Sequence, residues 1–440
     1  MTEGRMQSLM AAPVTAVSGE TRVPGDKSVS HRALMLGAIA EGVTEVSGFL
    51  AGEDCLATLA AVRAMGVEVR VDGPTALKVT GKGMASLAAP AGVLDMGNSG
   101  TAMRLFAGLL APQKFDSVLT GDRSLCQRPM ERVAAPLRLM GAEISTSDGR
   151  PPLHIHGGRP LQGIDYPMPV ASAQVKSALL LAGLYAAGTT TVHEPAVTRD
   201  HTERMLASFG VTLKQQPGRV SIAGGQTLRA APIAVPGDLS SAAFLLLAGC
   251  LAREGEVVLR NVGLNPTRTG ILAILSQMGA DIRIIPESSS GAEPVGTLVA
   301  RPSQLRGIRV PPELVPLAID EFPLVFIAAA LAQGETEISG AEELRHKESD
   351  RIGRMAAGLA QLGIVVDERP DGAIIRGGSL QGGEIDSAGD HRIAMSFAVA
   401  AIRASGPVQI RDTANVATSF PGFATLCQSL GMDLTEQPDG

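Results

Sequence analysis

Val23-Pro24-Gly25-Asp26-Lys27-Ser28-Val29-Ser30-His31-Arg32 is the stretch on which the reading of this chain turns. Pro24 and Gly25 end whatever strand precedes them. Asp26 and Ser28 are residues that cap helix starts, and the apolar run Ala33-Leu34-Met35-Leu36 follows at once. Ser28 and Arg32 lie four residues apart and share one face of the helix that begins here, with Lys27 just outside its first turn. Free N–H groups, a hydroxyl, a lysine and an arginine at one helix start suit a phosphate or a carboxylate. The string returns once, 212 residues later, as Val235-Pro236-Gly237-Asp238-Leu239-Ser240, with Leu in place of Lys. Two related halves are expected, with the anion chemistry kept in the first copy.

Composition sets the bounds. A chain of 440 residues has room for two domains of roughly 200 residues, each with its own core. Aromatics are only 3% and Trp is absent, so Ala, Leu, Val, Ile and Met must fill those cores. A net charge of −6 supplies no basic field to gather nucleic acid, so any anion site must be a local cluster. Cys55, Cys126, Cys250 and Cys427 are scattered without metal-ligand spacing, which reads as free thiols in a reducing compartment. Met1 to Pro13 holds no charged-then-apolar signal segment. The longest apolar run, Ala242 to Ala252, falls short of the roughly 20 residues a membrane span needs. A cytoplasmic protein with no membrane partner is expected.

Outward from the opening string, one pattern recurs six times: an apolar helical segment, a Gly, then an alternating strand. The six glycines are Gly66, Gly141, Gly210, Gly279, Gly363 and Gly431, spaced by 75, 69, 69, 84 and 68 residues. Each reads as the left-handed residue just past a helix end. Each unit also holds an earlier helix, beginning near Ser28, Gly100, Ser172, Ser240, Asp320 and His391. These first helices are apolar nearly all round, as in Leu324-Val325-Phe326-Ile327-Ala328-Ala329, which marks them as buried, parallel and central, with sheet outside. The fold expected is therefore α/β: two domains, each of three repeated βα units. The first runs over 25–237. The second takes 1–24 plus 238–440.

Charged residues in such helices belong at the ends. Asn98-Ser99-Gly100-Thr101 opens the second inner helix, and Gly100 removes a side chain where a ligand can approach backbone. Arg123 and Arg128 stand in the loop before an outer helix. Pro129 fits the first helical position, which leaves Arg128 at the wrong end of the helix dipole unless it holds an anion. Arg199 shares that oddity. Ser172-Ala173-Gln174 begins the third inner helix, where a hydroxyl and an amide suit a polyol or a carboxylate, or Ser172 simply caps. Asp320-Glu321 precede a wholly apolar helix. Acids are ordinary there, but Asp320 facing the cationic starts of the other half would make a general base. In Lys347-Glu348-Ser349-Asp350-Arg351, Lys347 and Arg351 are i, i+4, so two cations share a face and call for an anion between them. Asp390-His391-Arg392 adds another arginine at a helix start. His154 and His156 alternate along a strand with no third ligand, and read as structural. No phosphate-loop or dinucleotide string occurs.

Seven strings, PGDKSVSHR, GNSGTAMR, the RP of Arg128-Pro129, ASAQ, AIDEFP, HKESDR and GDHR, stand in this order over residues 15 to 430. In that order they resemble the 3-phosphoshikimate 1-carboxyvinyltransferase (EPSP synthase) family, in its divergent, class II-like branch. The resemblance implies two inverse α/β domains of three repeats with the site in the cleft between them, and domain closure on ligand. It implies transfer of the enolpyruvyl group of phosphoenolpyruvate to the 5-hydroxyl of shikimate 3-phosphate, with release of phosphate. By position, shikimate 3-phosphate falls to Lys27, Ser28, Arg32, Ser172, Gln174, Arg199, Asp320 and Lys347. Phosphoenolpyruvate falls to Lys27, Gly100, Arg128, Gln174, Arg351 and Arg392. Asp320 would take the hydroxyl proton and Glu348, with Lys27, would protonate C3 of phosphoenolpyruvate. No metal or cofactor is implied, and a monomer is expected.

Two departures stand out. Ala417-Thr418-Ser419-Phe420-Pro421 lacks the lysine many members carry before this string, which removes one phosphoenolpyruvate contact. Ser172-Ala173-Gln174 replaces Ser-Ser-Gln. Gly100, where members carry Gly or Ala, implies sensitivity to the family inhibitor glyphosate. The rival is the sister enolpyruvyltransferase acting on UDP-N-acetylglucosamine, whose acid is a loop Cys before Arg-Pro. Cys126 stands only two residues before Arg128, and the opening string differs. A non-catalytic repeat scaffold is the other alternative.

Overall fold

The structure, a computed structural model, describes residues 7–288 and 291–438. Residues 1–6, within both the expected second domain and the stretch searched for a signal segment, lie outside the described residues, as do 439–440. Among the described residues the helices are α1 (Lys27–Ile39), α2 (Glu53–Ala64), α3 (Gly100–Leu110), α4 (Glu131–Leu139), α5 (Ala173–Gly183), α6 (His201–Ser208), α7 (Leu239–Leu251), α8 (Gly270–Gln277), the single turn α9 (Val315–Ala318), α10 (Phe322–Ala330), α11 (Arg351–Gln361), α12 (His391–Ala400) and α13 (Phe423–Ser429).

Contacts divide the chain into two compact units. One is Gly25–Val235 with Ser289–Glu293; the other is Met1–Pro24, Pro236–Ser288 and Pro294–Gly440. Each has its own apolar core. Glu293, expected with 238–440, therefore packs with the first unit, where it pairs with buried His201 at 2.7 Å.

The inner helices α1, α3, α5, α7, α10 and α12 are built as their sequences demand. In five of them a side chain closes the first turn. Asp26 accepts from Val29 N, Ser99 from Ala102 N, Ser172 from Val175 N, Asp238 from Ser240 N and Asp390 from Arg392 N. The sixth, α10, starts instead from a 3-10 turn at Ile319–Glu321 that carries Asp320. All nine residues of α10 are buried, as its unbroken apolar run requires. All six repeat glycines adopt positive φ, between 80° and 102°, which turns the chain from an outer helix toward its hairpin.

Each repeat lays a sheet over its helices, mixed in five of the six and antiparallel in the fifth. In the first, Glu41–Ser47 pairs antiparallel with Ala76–Lys82, and Ala76–Lys82 with Glu68–Gly73. Its fourth strand arrives from the end of the third repeat: Ile233–Ala234 runs parallel to Glu41–Ser47, with Ile233 opposite Val46. The other unit closes in the same manner. Gly19–Thr21 lies parallel to Val257–Gly263, and Gln7–Ala12 inserts antiparallel between Val408–Arg411 and Asp433–Pro438. The fifth sheet keeps three strands, because the stretch around 306–309 makes only isolated bridges, Arg306 to Gln333 and Arg309 to Glu337. Strands borrowed across the sequence make each unit depend on residues far from it in the chain.

Three local expectations are corrected. Lys27 is the first residue of α1, not outside it, because Asp26 takes the cap. Pro129 is not at a first helical position: α4 begins at Glu131 after Met130, and Arg128 ends a 3-10 turn at Leu125–Gln127. Lys347 and Arg351 share no helix, because Lys347 ends the 3-10 turn Glu342–His346 and Arg351 opens α11 after its Asp350 cap. No described helix is long and apolar enough to cross a membrane.

Candidate active site

In the unit of residues 25–235, the first turns of α1, α3 and α5 lie side by side. Lys27 forms an ion pair with Asp54, a buried acid in the first turn of α2. Arg32 turns inward. Its Nε donates to Thr202 Oγ1 at 2.7 Å, its Nη2 to Ser177 Oγ at 2.9 Å and its Nη1 to the Ser28 carbonyl at 2.9 Å. Burial lowers the Arg32 pKa to about 10, with Glu203 and Asp26 opposing, so the guanidinium keeps its charge at neutral pH. Arg32 thus fixes the backbone of Ser28, whose half-buried hydroxyl makes no hydrogen bond among the described residues.

Gln174 is held at both ends: its Oε1 accepts from Arg104 Nη1 at 2.6 Å and its Nε2 donates to Thr101 Oγ1 at 2.9 Å. Arg128 reaches the same turn from the loop, donating to Asn98 Oδ1 at 2.6 Å and to the Asn98 carbonyl at 3.2 Å. Gly100 sits between these two arginines. A Cβ there would stand 3.0 Å from Arg104 Nη1 and 3.3 Å from Arg128 Nη1. Ser172 caps α5, and Arg199 is half-buried one residue before the Asp200 cap of α6. Lys27, Ser28, Gly100, Arg128, Ser172 and Gln174 therefore stand on the starts of adjacent helices and the loops leading into them. Arg32 lies beneath them.

In the other unit, Asp320 is the centre. Lys347 Nζ lies 3.7 Å from its Oδ1, Arg351 Nη1 3.9 Å from the same oxygen, and Arg392 Nη2 3.8 Å from Oδ2. The anion that two adjacent cations call for is thus present in the protein, and a third cation joins them. Arg392 Nη1 also donates to the Asp320 carbonyl at 3.0 Å, which ties the start of α12 to the start of α10. Glu348 accepts from Arg351 Nη2 at 2.6 Å and is within reach of solvent. Arg351 is almost fully buried and donates to Asp390 Oδ2 at 2.9 Å. Burial alone would push the Asp390 carboxyl up, but the Arg351 guanidinium outweighs it and holds Asp390 below the usual carboxylate value. Arg351 is held correspondingly high, against its own burial, by Asp390 and Glu348.

Sequence reasoning missed the residues that orient these groups: Asp54 for Lys27, Thr202 and Ser177 for Arg32, Arg104 for Gln174, and Asp390 for Arg351. His154 and His156 lie exposed on the strand Arg150–His156, and no group of three or more metal-ligating side chains exists among the described residues. Cys126 Sγ donates to its neighbour Gly121 O at 3.3 Å. The four cysteines are free.

The sequence model of the EPSP synthase (3-phosphoshikimate 1-carboxyvinyltransferase) family matches residues 11–426. A 3-phosphoshikimate 1-carboxyvinyltransferase of Methylococcus capsulatus is 60% identical over 427 residues, 96% of this chain and 97% of that one. One of Legionella pneumophila is 54% identical over 433 residues, 98% of this chain and 100% of that one. The solved EPSP synthase of Acinetobacter baumannii superposes with a TM-score of 0.89 at 52% identity, covering 98% of this chain and 100% of that one. With a match running through nearly every repeat and both polar clusters, this chain belongs to the EPSP synthase family of enolpyruvyl transferases.

Proposed function

We propose that this chain transfers the enolpyruvyl group of phosphoenolpyruvate to the 5-hydroxyl of shikimate 3-phosphate, and that the side chains described above carry the reaction. The observation that supports this most is Asp320, a carboxylate ringed by Lys347, Arg351 and Arg392 within 4 Å. Asp320 removes the hydroxyl proton as that oxygen attacks C2. Glu348, with Lys27 as partner, delivers a proton to C3. A tetrahedral adduct results, and loss of phosphate from C2 with a proton from C3 regenerates the enol ether.

Lys27, Gly100, Arg128, Gln174, Arg351 and Arg392 are assigned to phosphoenolpyruvate. Lys27, Ser28, Ser172, Gln174, Arg199, Asp320 and Lys347 are assigned to shikimate 3-phosphate, with Arg32 acting through the Ser28 carbonyl and its own charge. The reaction is placed in the cytoplasm, a setting four free thiols support, in a monomer.

The test is phosphate release from phosphoenolpyruvate. Release is expected only when shikimate 3-phosphate is added. Release dependent on UDP-N-acetylglucosamine, or none with either acceptor, would overturn the reading.

Gly100→Ala supplies a second measurement. The backbone tolerates Ala, but the new Cβ meets the guanidinium ends of Arg104 and Arg128 at 3.0 and 3.3 Å and pushes them outward. The KM for phosphoenolpyruvate should rise about tenfold while kcat stays within about threefold, since a misplaced binding group weakens both ground and transition states. Inhibition by glyphosate should weaken in parallel. An unchanged KM would remove Gly100 and Arg128 from the phosphoenolpyruvate set.

A further inference from the structure

We propose that His31 is a positioning residue: as a neutral imidazole protonated on Nδ1, it locks the start of α3 to α2 and so keeps the Gly100 turn in register with the Lys27–Asp54 pair. The proposal deepens the functional reading above and rests on it, since Gly100 and its neighbour Arg128 are there assigned to phosphoenolpyruvate alone and Lys27 to both substrates.

His31 is completely buried one turn beyond Lys27. Its Nδ1 lies 2.7 Å from Thr58 Oγ1 on α2, and its Nε2 lies 3.3 Å from Ser99 Oγ, the cap of α3. The hydrogens can be placed by elimination. Ser99 is buried, and its oxygen already accepts from Ala102 N at 3.1 Å. Among the described residues, the one acceptor for the Ser99 hydroxyl hydrogen is His31 Nε2, which must therefore carry a lone pair. The ring proton then sits on Nδ1 and is donated to Thr58. The Thr58 hydroxyl in turn points to the Asp54 carbonyl at 3.4 Å. One chain of donors thus runs from the first turn of α3, through His31, to the residue whose carboxylate grips Lys27. Burial, with Lys27 and Arg32 nearby, drives the His31 pKa well below its ordinary value. A charged ring would need two acceptors, and Ser99 would lose its own.

What this connection does is specific. Asn98 holds Arg128, Ser99 holds His31, and Gly100 leaves the space beside Arg128 open. If the imidazole link is cut, the helix start can still form, but its distance to the Lys27 end of α1 is no longer set.

Two experiments test this. In the wild-type protein, nitrogen-15 imidazole spectra should show His31 protonated on Nδ1, bare on Nε2, and unchanged between about pH 5 and pH 8. A titrating ring, or one protonated on Nε2, would overturn the proposal. Kinetically, His31→Leu and the milder, nearly isosteric Thr58→Val should each raise the KM for phosphoenolpyruvate about tenfold, with the KM for shikimate 3-phosphate within about twofold. The double variant should be no worse than His31→Leu alone, because both cut one connection. A purely structural role would lower the melting temperature and spare that split between the two substrates. Thr58→Val with both KM values unchanged would overturn the proposal while leaving wild-type turnover, and with it the functional reading, intact. A wild-type protein without turnover would bring down both.

Discussion

Asp320→Asn should lower kcat by about 10²–10⁴-fold, the usual loss when a general base is removed. Both KM values should stay at or below those of the wild type. The direction of the KM effect follows from charge. Lys347, Arg351 and Arg392 all lie within 4 Å of the Asp320 carboxylate, so its negative charge competes with any anionic ligand for those cations. Neutralising it frees them, and phosphate or carboxylate groups should bind as well or better. The chemistry should suffer for the same reason. In the wild type, each cation that a substrate anion takes up leaves Asp320 with one partner fewer and a stronger claim on the hydroxyl proton. Asn keeps the size of the side chain, but it exchanges one acceptor oxygen for an amide donor and cannot accept that proton. Steady-state kinetics with each substrate varied separately measures both effects. A kcat within about tenfold of wild type would remove Asp320 from the role of base and pass it to Glu348.

What could be seen in the sequence follows from how local each feature is. The six glycines past the outer helices were readable because a left-handed residue at a helix end is a local steric requirement, and Gly66, Gly141, Gly210, Gly279, Gly363 and Gly431 all adopt positive φ. The inner helix starts were readable because Asp26, Ser99, Ser172, Asp238 and Asp390 each cap a turn formed by their own neighbours. What orients the charged groups was not readable. Arg32 is held by Thr202 and Ser177, 170 and 145 residues away, and Arg351 by Asp390, 39 residues away. Nothing in the spacing of a lone Thr or Asp announces such a partner. The borrowed strands have the same character. Gln7–Ala12 is a short run, two polar residues and then four apolar ones, that many sheets could accept, and only the packed unit seats it between Val408–Arg411 and Asp433–Pro438. Arg128 shows a local rule failing by two residues: Pro129 suits a first helical position, but Met130 and Glu131 start α4 instead.

Lys176→Met should destabilise the unit of residues 25–235 by about 3–5 kcal/mol, the cost of leaving buried charge without its partner. Lys176 is almost completely buried on α5, two residues beyond Gln174. Its ammonium lies 2.7 Å from Glu203 Oε1 on α6 and 3.0 Å from Glu194 Oε2. One lysine therefore serves two acids, and Glu203 is already the strained member. Its burial raises the carboxyl pKa above the ordinary 4.5 in spite of Lys176, and its Oε2 has no hydrogen-bond partner. Met fills the volume of the lysine stem but leaves Glu203 and Glu194 facing each other. The pH dependence has a definite sign. A carboxyl whose pKa is raised on folding adds stability below its unfolded value and loses it as pH rises through the folded value. Removing Lys176 raises Glu203 further, so the deficit of the variant should be smallest at acid pH and grow toward neutrality. Glu203→Gln is the informative control. It removes the charge that burial already penalises and leaves Lys176 paired with Glu194, so it should cost far less than Lys176→Met. In the double variant, Glu203→Gln should recover part of what Lys176→Met loses, because the repulsion between the two acids is gone. Urea unfolding of the four proteins at two pH values measures all of this. If Lys176→Met proves as stable as wild type, or loses more at acid pH than at neutral, the lysine is not what joins α5 to α6. The alignment of Gln174 on α5 with Thr202 on α6, the residue that holds Arg32, would then need another cause.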